Sequence, residues 1–180
     1  MPTFSRIADV CDAANTMLGK AVRWFSLLMV LMMCFNVATR YLFASGLPWQ
    51  QELVRYFHAV LFLAAAGYTL KSEGHVRVDV FYQNFTPTRR AWVNLLGTIG
   101  LLFPFAVALV YFSWDYVLNA WAIQEGSSEY RGMPGVFLLK SCIWLAAGTL
   151  MLQGVSVICH SLMSILGHEK RKIFMEEERA

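Results

Sequence analysis

The sequence predicts an all-α integral membrane protein with four transmembrane helices. Three observations carry this reading. Apolar residues make up 57% of the 180 positions, too large a share for a water-soluble sphere of that size. They gather into four runs, each near or above the roughly 20 residues that cross a bilayer core as a helix. The basic residues flank these runs rather than forming a polar face, which speaks against nucleic acid despite a net charge of +3.

The four expected spans lie at residues 21–43, 53–71, 91–121 and 136–166. An interfacial segment at 72–86 and a charged tail at 167–180 account for most of the rest. One membrane domain over residues 1–180 follows, with no room for a folded soluble domain. The first apolar run is longer than the core of a signal peptide and carries Arg40 where a small-residue cleavage site would stand, so it is expected to be retained. With the N-terminus inside, the inner side holds Arg6, Lys20, Arg23, Lys71, Arg77, Arg89, Arg90, Lys170, Arg171, Lys172 and Arg179, leaving only Arg40, Arg55, Arg131 and Lys140 outside. The positive-inside rule therefore predicts that both termini are cytoplasmic.

Ahead of the first span, Ile7, Val10, Ala14, Met17 and Leu18 recur at helical spacing. They suit either an amphipathic helix on the inner surface or a continuation of the span itself. The first outer loop, 44–51, contains Gly46, Pro48 and Trp49 and makes spans one and two antiparallel neighbours. Residues 71–85 mix Glu73, His75, Arg77 and Asp79 with Val76, Val78, Val80 and Phe81, a pattern for the headgroup layer. Thr86 and Pro87 then read as an N-cap followed by proline at the first helical position. Pro104 removes a backbone donor inside span three and should kink it. Spans three and four, each about 46 Å at 1.5 Å per residue, exceed the ~30 Å hydrocarbon core and must tilt or protrude.

Ionisable groups near a bilayer interior are costly. Arg40, Glu52, Arg55, Asp115 and Lys140 all thread to the outer ends of their spans. Shared depth allows an ionic cluster there, Asp115 meeting Lys140 or Arg40 and Glu52 meeting Arg55 or Arg40. The alternative is that each base snorkels alone to the headgroups. Ala64, Ala65 and Gly67 in span two, with Gly148 and Gly154 in span four, form small-residue surfaces where helix backbones can approach closely, within the chain or against a partner. Tryptophans and tyrosines near the span ends make an aromatic belt in contact with membrane lipids.

Cys11, Cys34, Cys142 and Cys159 show no metal or disulfide spacing, and no metal, cofactor or catalytic residue is assigned. Two other functions fit the sequence less well. A haem-binding anchor subunit of a redox enzyme would need two histidines at one depth, whereas His58 and His160 lie roughly 20 Å apart along their spans. A stand-alone small transporter would carry a mid-membrane acid or an internal repeat. Only Asn36 and Pro104 interrupt the apolar middles, and no repeat is evident.

The stretch from Asn36 to Phe43 (NVATRYLF), Trp49 to Tyr56 (WQQELVRY), the Ala/Gly-rich middle of span two and His75 to Asp79 (HVRVD) resemble the small permease subunit, of the DctQ type, of TRAP transporters, the tripartite ATP-independent periplasmic systems. Ser128 and Pro134 resemble the usual second outer loop of that family. The resemblance covers most of residues 36–148. Gln51 stands where a second acid often precedes Glu52, and Leu145 to Gly148 (LAAG) replaces a segment that often contains proline. The resemblance implies a non-enzymatic subunit of the bacterial inner membrane. A large permease subunit would hold substrate and sodium sites and move, while this chain packs against its static part. A periplasmic substrate-binding protein would deliver an organic acid, such as a C4-dicarboxylate or sugar acid. It also implies that Arg40, Trp49, Glu52 and Arg55 fix the outer end or meet the binding protein, and that His75, Arg77 and Asp79 anchor the inner interfacial segment. The charged end of the chain, with no span after it, suggests a separate polypeptide rather than a fusion.

Overall fold

Helix α1 (Pro2–Val22) runs into α2 (Trp24–Phe43) with only a turn at Arg23 between them. The computed structural model describes residues 2–44, 46–72, 74 and 85–166. The candidate anchors His75, Arg77 and Asp79, and the tail 167–180, lie outside the described residues. Helix α3 (Pro48–Ala64) follows a short loop and steps at Ala65 into α4 (Ala66–Lys71). Then come α5 (Pro87–Gly97), a π-helical turn at Thr98–Leu102, α6 (Phe103–Ala122) and the 30-residue α7 (Val136–Ile165).

Among the described residues the chain is helical without strands, and three stretches are long and apolar enough to cross a membrane: Thr3–Phe43, Pro87–Ala122 and Val136–Ile165. The expected second span corresponds to α3 and α4, divided at Ala65. The loop between α2 and α3 is shorter than expected, because Pro48, whose missing N–H costs nothing at a helix start, sits in the first turn of α3. A π turn stands just before Pro104, where the sequence led us to expect a kink. A wider turn accommodates both the absent donor and the bulk of the ring.

Helix α7 is the hub, packing against α1, α3, α4, α5 and α6. Half of its apolar window is buried, compared with 6% for Thr3–Phe43. Its sequence explains this role: the buried positions are mostly small, including Cys142, Ala146, Ala147, Thr149, Gly154, Ser156 and Ser161. Backbones in lipid gain most from such close approach, since no hydrophobic force separates helix from tail. A Cβ on Gly67 would lie 2.5 Å from the Thr149 carbonyl oxygen, so α4 reaches α7 only because that side chain is absent. Gly154 likewise faces Leu102 and Phe103. Gly148 has open space and does not join this packing.

Helix α1 turns its small and polar residues to the bundle and leaves its large apolar ones outside, as a helix with an apolar face toward lipid would. Its buried face is Ala8, Cys11, Asn15, Gly19 and Val22, whereas Ile7, Val10 and Met17 are exposed. It lies along α7 rather than beside the bundle. Helix α2 packs mainly on α3, where the Phe25 and Phe57 rings meet edge to face at 5.6 Å and the Thr39 hydroxyl donates to Gln50 Oε1 at 3.1 Å.

Candidate functional site: polar clamps at the two ends of the bundle

One end of the bundle is organised by Glu52. It sits early in α3, ahead of the apolar segment 53–71, and is only 6% exposed. Its carboxylate accepts a hydrogen bond from the Ser127 hydroxyl and another, at 2.6 Å, from the Met133 backbone N–H. It thereby ties α3 to the loop between α6 and α7. Within that loop Ser127 N–H donates to the Met133 carbonyl at 3.0 Å, and Gly132 N–H to the Glu129 carbonyl at 2.9 Å. A Cβ on Gly132 would come within 2.9 Å of Glu52 Oε2 and closer still to Ser127, so this tight closure requires glycine. Arg55 Nη2 stands 3.6 Å from Glu52 Oε1, but its side chain is 68% exposed. An exposed pair of that kind contributes about 0–1 kcal/mol, and charge-assisted bonds about 1.5–3. The loop, not the arginine, is the main partner. The Ser127 and Met133 bonds hold the Glu52 carboxyl below its usual range, outweighing burial.

The remaining residues expected in the ionic cluster do not converge. Lys140 pairs with Glu125, not Asp115, and its ammonium stands 3.9 Å from the centre of the Tyr116 ring. The expected Asp115–Lys140 pair is therefore corrected. Glu125 follows the end of α6, where the chain folds back toward α7, and Phe137 N–H donates to its carbonyl at 3.4 Å. That return brings its carboxylate to Lys140, while Asp115 stays exposed on the side of α6. Arg40 is exposed at the end of α2, without an ion pair among the described residues, and Trp49 is half-buried in the first turn of α3. Trp121 and Trp144 direct their indole N–H groups to Ser141 and Ser113, at 2.7 and 3.0 Å.

The opposite end carries a second clamp that the sequence reading missed. Asp12 Oδ1 accepts from Gln153 Nε2 at 2.9 Å and from the Ser156 hydroxyl at 2.6 Å, and Oδ2 lies 3.4 Å from His160 Nε2. Asn15, 2% exposed, donates to Gln153 Oε1 at 2.9 Å and to the Thr149 carbonyl at 3.2 Å. Gln153 thus accepts from Asn15 and donates to Asp12, which fixes the orientation of its amide. Lys71 closes the set from α4, donating to Thr16 Oγ1 at 2.6 Å and to the Asp12 carbonyl at 3.3 Å. Thr149, Gln153, Ser156 and His160 recur at spacings of three and four along α7. This polar stripe is legible in the sequence, although none of its residues carries a fixed charge. His58 is exposed and stacks on Phe62 at 6.1 Å.

A hub helix of small residues, apolar helices around it and polar groups tied off at both ends define a polytopic all-α membrane protein. The chain belongs to the DctQ component family of the tripartite ATP-independent periplasmic transporters, whose model matches residues 29–163. That is a family of transport components, not of enzymes. The chain is 29% identical over 113 residues to the C4-dicarboxylate TRAP transporter small permease protein DctQ of Vibrio cholerae serotype O1, an alignment covering 63% of this chain and 47% of that protein. It spans about half the length of this curated relative (47%). No solved structure matches.

Proposed function

We propose that the chain is the small permease subunit of a TRAP transporter, scaffolding a large permease subunit during sodium-coupled uptake of an organic acid delivered by a periplasmic binding protein. The family match over residues 29–163 carries this reading. The structure adds a physical reason for a static role. Both ends of the bundle are tied by buried hydrogen-bonded carboxylate networks, around Glu52 and around Asp12, and such networks favour one arrangement over several. A carboxylate substrate, a C4-dicarboxylate or a sugar acid, is the class proposed, the former by likeness to the Vibrio cholerae protein. The chain crosses the bacterial inner membrane four times, α3 with α4 being the second span, with both termini cytoplasmic. Arg40, Trp49 and Arg55 at the outer rim meet the binding protein or steady that rim. His75, Arg77 and Asp79 anchor the inner interface.

Affinity purification of the tagged chain from detergent-solubilised native membranes, with mass spectrometry of what accompanies it, tests the proposal. A large polytopic permease recovered in near-equal amount is the expected result. Recovery of the chain alone, or only as copies of itself, would favour a stand-alone transporter instead.

A further inference from the structure

A cavity of about 280 Å³ opens between the start of α5 and the end of α7, lined by Pro87, Arg90, Asn94, His160, Ser161 and Ser164. We infer that it binds the phosphate of an anionic phospholipid headgroup. Four features of the cavity support this.

The start of α5 has no side-chain cap. Its first intrahelical bond runs from Arg90 N–H to the Thr86 carbonyl at 3.0 Å. The Thr88 and Arg89 N–H groups therefore have no acceptor within the helix, an arrangement suited to an anion. Ser161 is an independent feature. It is 5% exposed, lines the cavity and has no hydrogen-bond partner among the described residues. A helical serine can bond back to its own helix, as Ser113 does to the Leu109 carbonyl, and Ser161 does not. Its hydroxyl opens to the cavity and could donate to a phosphate oxygen there.

The Arg90 guanidinium supplies positive charge on the cavity wall, with its Nε held on the Phe85 carbonyl at 3.1 Å. His160 lines the cavity as well and lies 3.4 Å from Asp12, whose carboxylate is already engaged by Gln153 and Ser156. Finally, Lys71, Arg89 and Arg90 gather at this end of the bundle, and basic pockets between helices at one membrane face are where anionic headgroups bind. An exposed apolar surface beside the cavity, including Trp92, Val93 and Leu96 of α5, would lie along the acyl chains.

The test uses the full chain purified in mild detergent, with native mass spectrometry after exchange into phosphatidylglycerol or phosphatidylcholine. Wild-type protein should retain one phosphatidylglycerol in preference to phosphatidylcholine. Arg90→Gln should retain it roughly fivefold less well, and Ser161→Asp, which places a negative charge in the cavity, should lose it. Circular dichroism confirms that each variant is folded, and Ser161→Ala, a minimal change, serves as a second probe if Ser161→Asp is not. Millimolar inorganic phosphate that fails to displace the lipid assigns the site to a headgroup. Displacement at comparable affinity assigns the same chemistry to free phosphate and overturns the lipid source. Equal retention of both lipids, or retention indifferent to Arg90 and Ser161, overturns the site.

Discussion

Glu52 shows how one carboxylate at the mouth of a helix can hold a distant loop. Its two strongest contacts reach Ser127 and the Met133 backbone, far along the chain. Glu52→Ala should destabilise the protein by about 1.5–3 kcal/mol, and Glu52→Gln by less, because an amide still fills the space but accepts through one oxygen only. Thermal unfolding in detergent reads both. The same bonds depress the carboxyl's pKa, so its stabilisation is fully present above the ordinary carboxylate range and is lost as pH falls through the depressed value. Between about pH 6 and pH 3 the wild type should lose more thermal stability than Glu52→Gln, and identical slopes would refute the assignment. The sequence offered Arg55 as a partner for Glu52, which the structure bears out, but not Ser127 or Met133. It missed the partner of Lys140 for a related reason: depth follows from counting residues along a helix, but the choice between Asp115 and Glu125 depends on how the 123–135 loop folds back.

Among the helices, the small residues of α3, α4 and α7 play two different roles that sequence alone could not separate. Gly67 meets the backbone of Thr149 and the side chain of Asn15, whereas Gly148 meets nothing within 4 Å. Gly67→Ala should therefore force α4 away from α7 at a cost of about 1–3 kcal/mol, while Gly148→Ala should stay within about 0.5 kcal/mol in the isolated chain. Paired thermal unfolding curves check the contrast, and equal losses would show that the glycine packing is misassigned. Helix α1 makes the same point through its orientation. Large apolar side chains mark the buried face of a helix in a water-soluble protein, but beside a bilayer they can face lipid. The small and polar residues, which need close packing or hydrogen bonds, then turn inward. Asn15 and Gly19 are buried for this reason, and Met17 is not.

At the scale of the whole molecule, the proposed topology puts the loop at 123–135 outside and the end of α7 inside. Alkaline phosphatase fused after Glu129 should be active and green fluorescent protein fused after Leu166 should fluoresce. The opposite pattern would invert the orientation and move the Glu52 clamp to the cytoplasm. The sequence by itself determined that the chain is helical and membrane-embedded, that the runs near 21–43, 91–121 and 136–166 are apolar helices, and which family it resembles. These depend on composition, run length and local motifs, which are properties of neighbouring residues. Tertiary structure alone decided that α7 is the hub, that Lys140 takes Glu125, and that Asp12, Asn15, Gln153, Ser156 and His160 form one network. A sequence gives each helix its length and periodicity, but not the rotation at which it meets its neighbours. That rotation is set by which small residues let two backbones touch and which buried polar atoms must find partners across the contact.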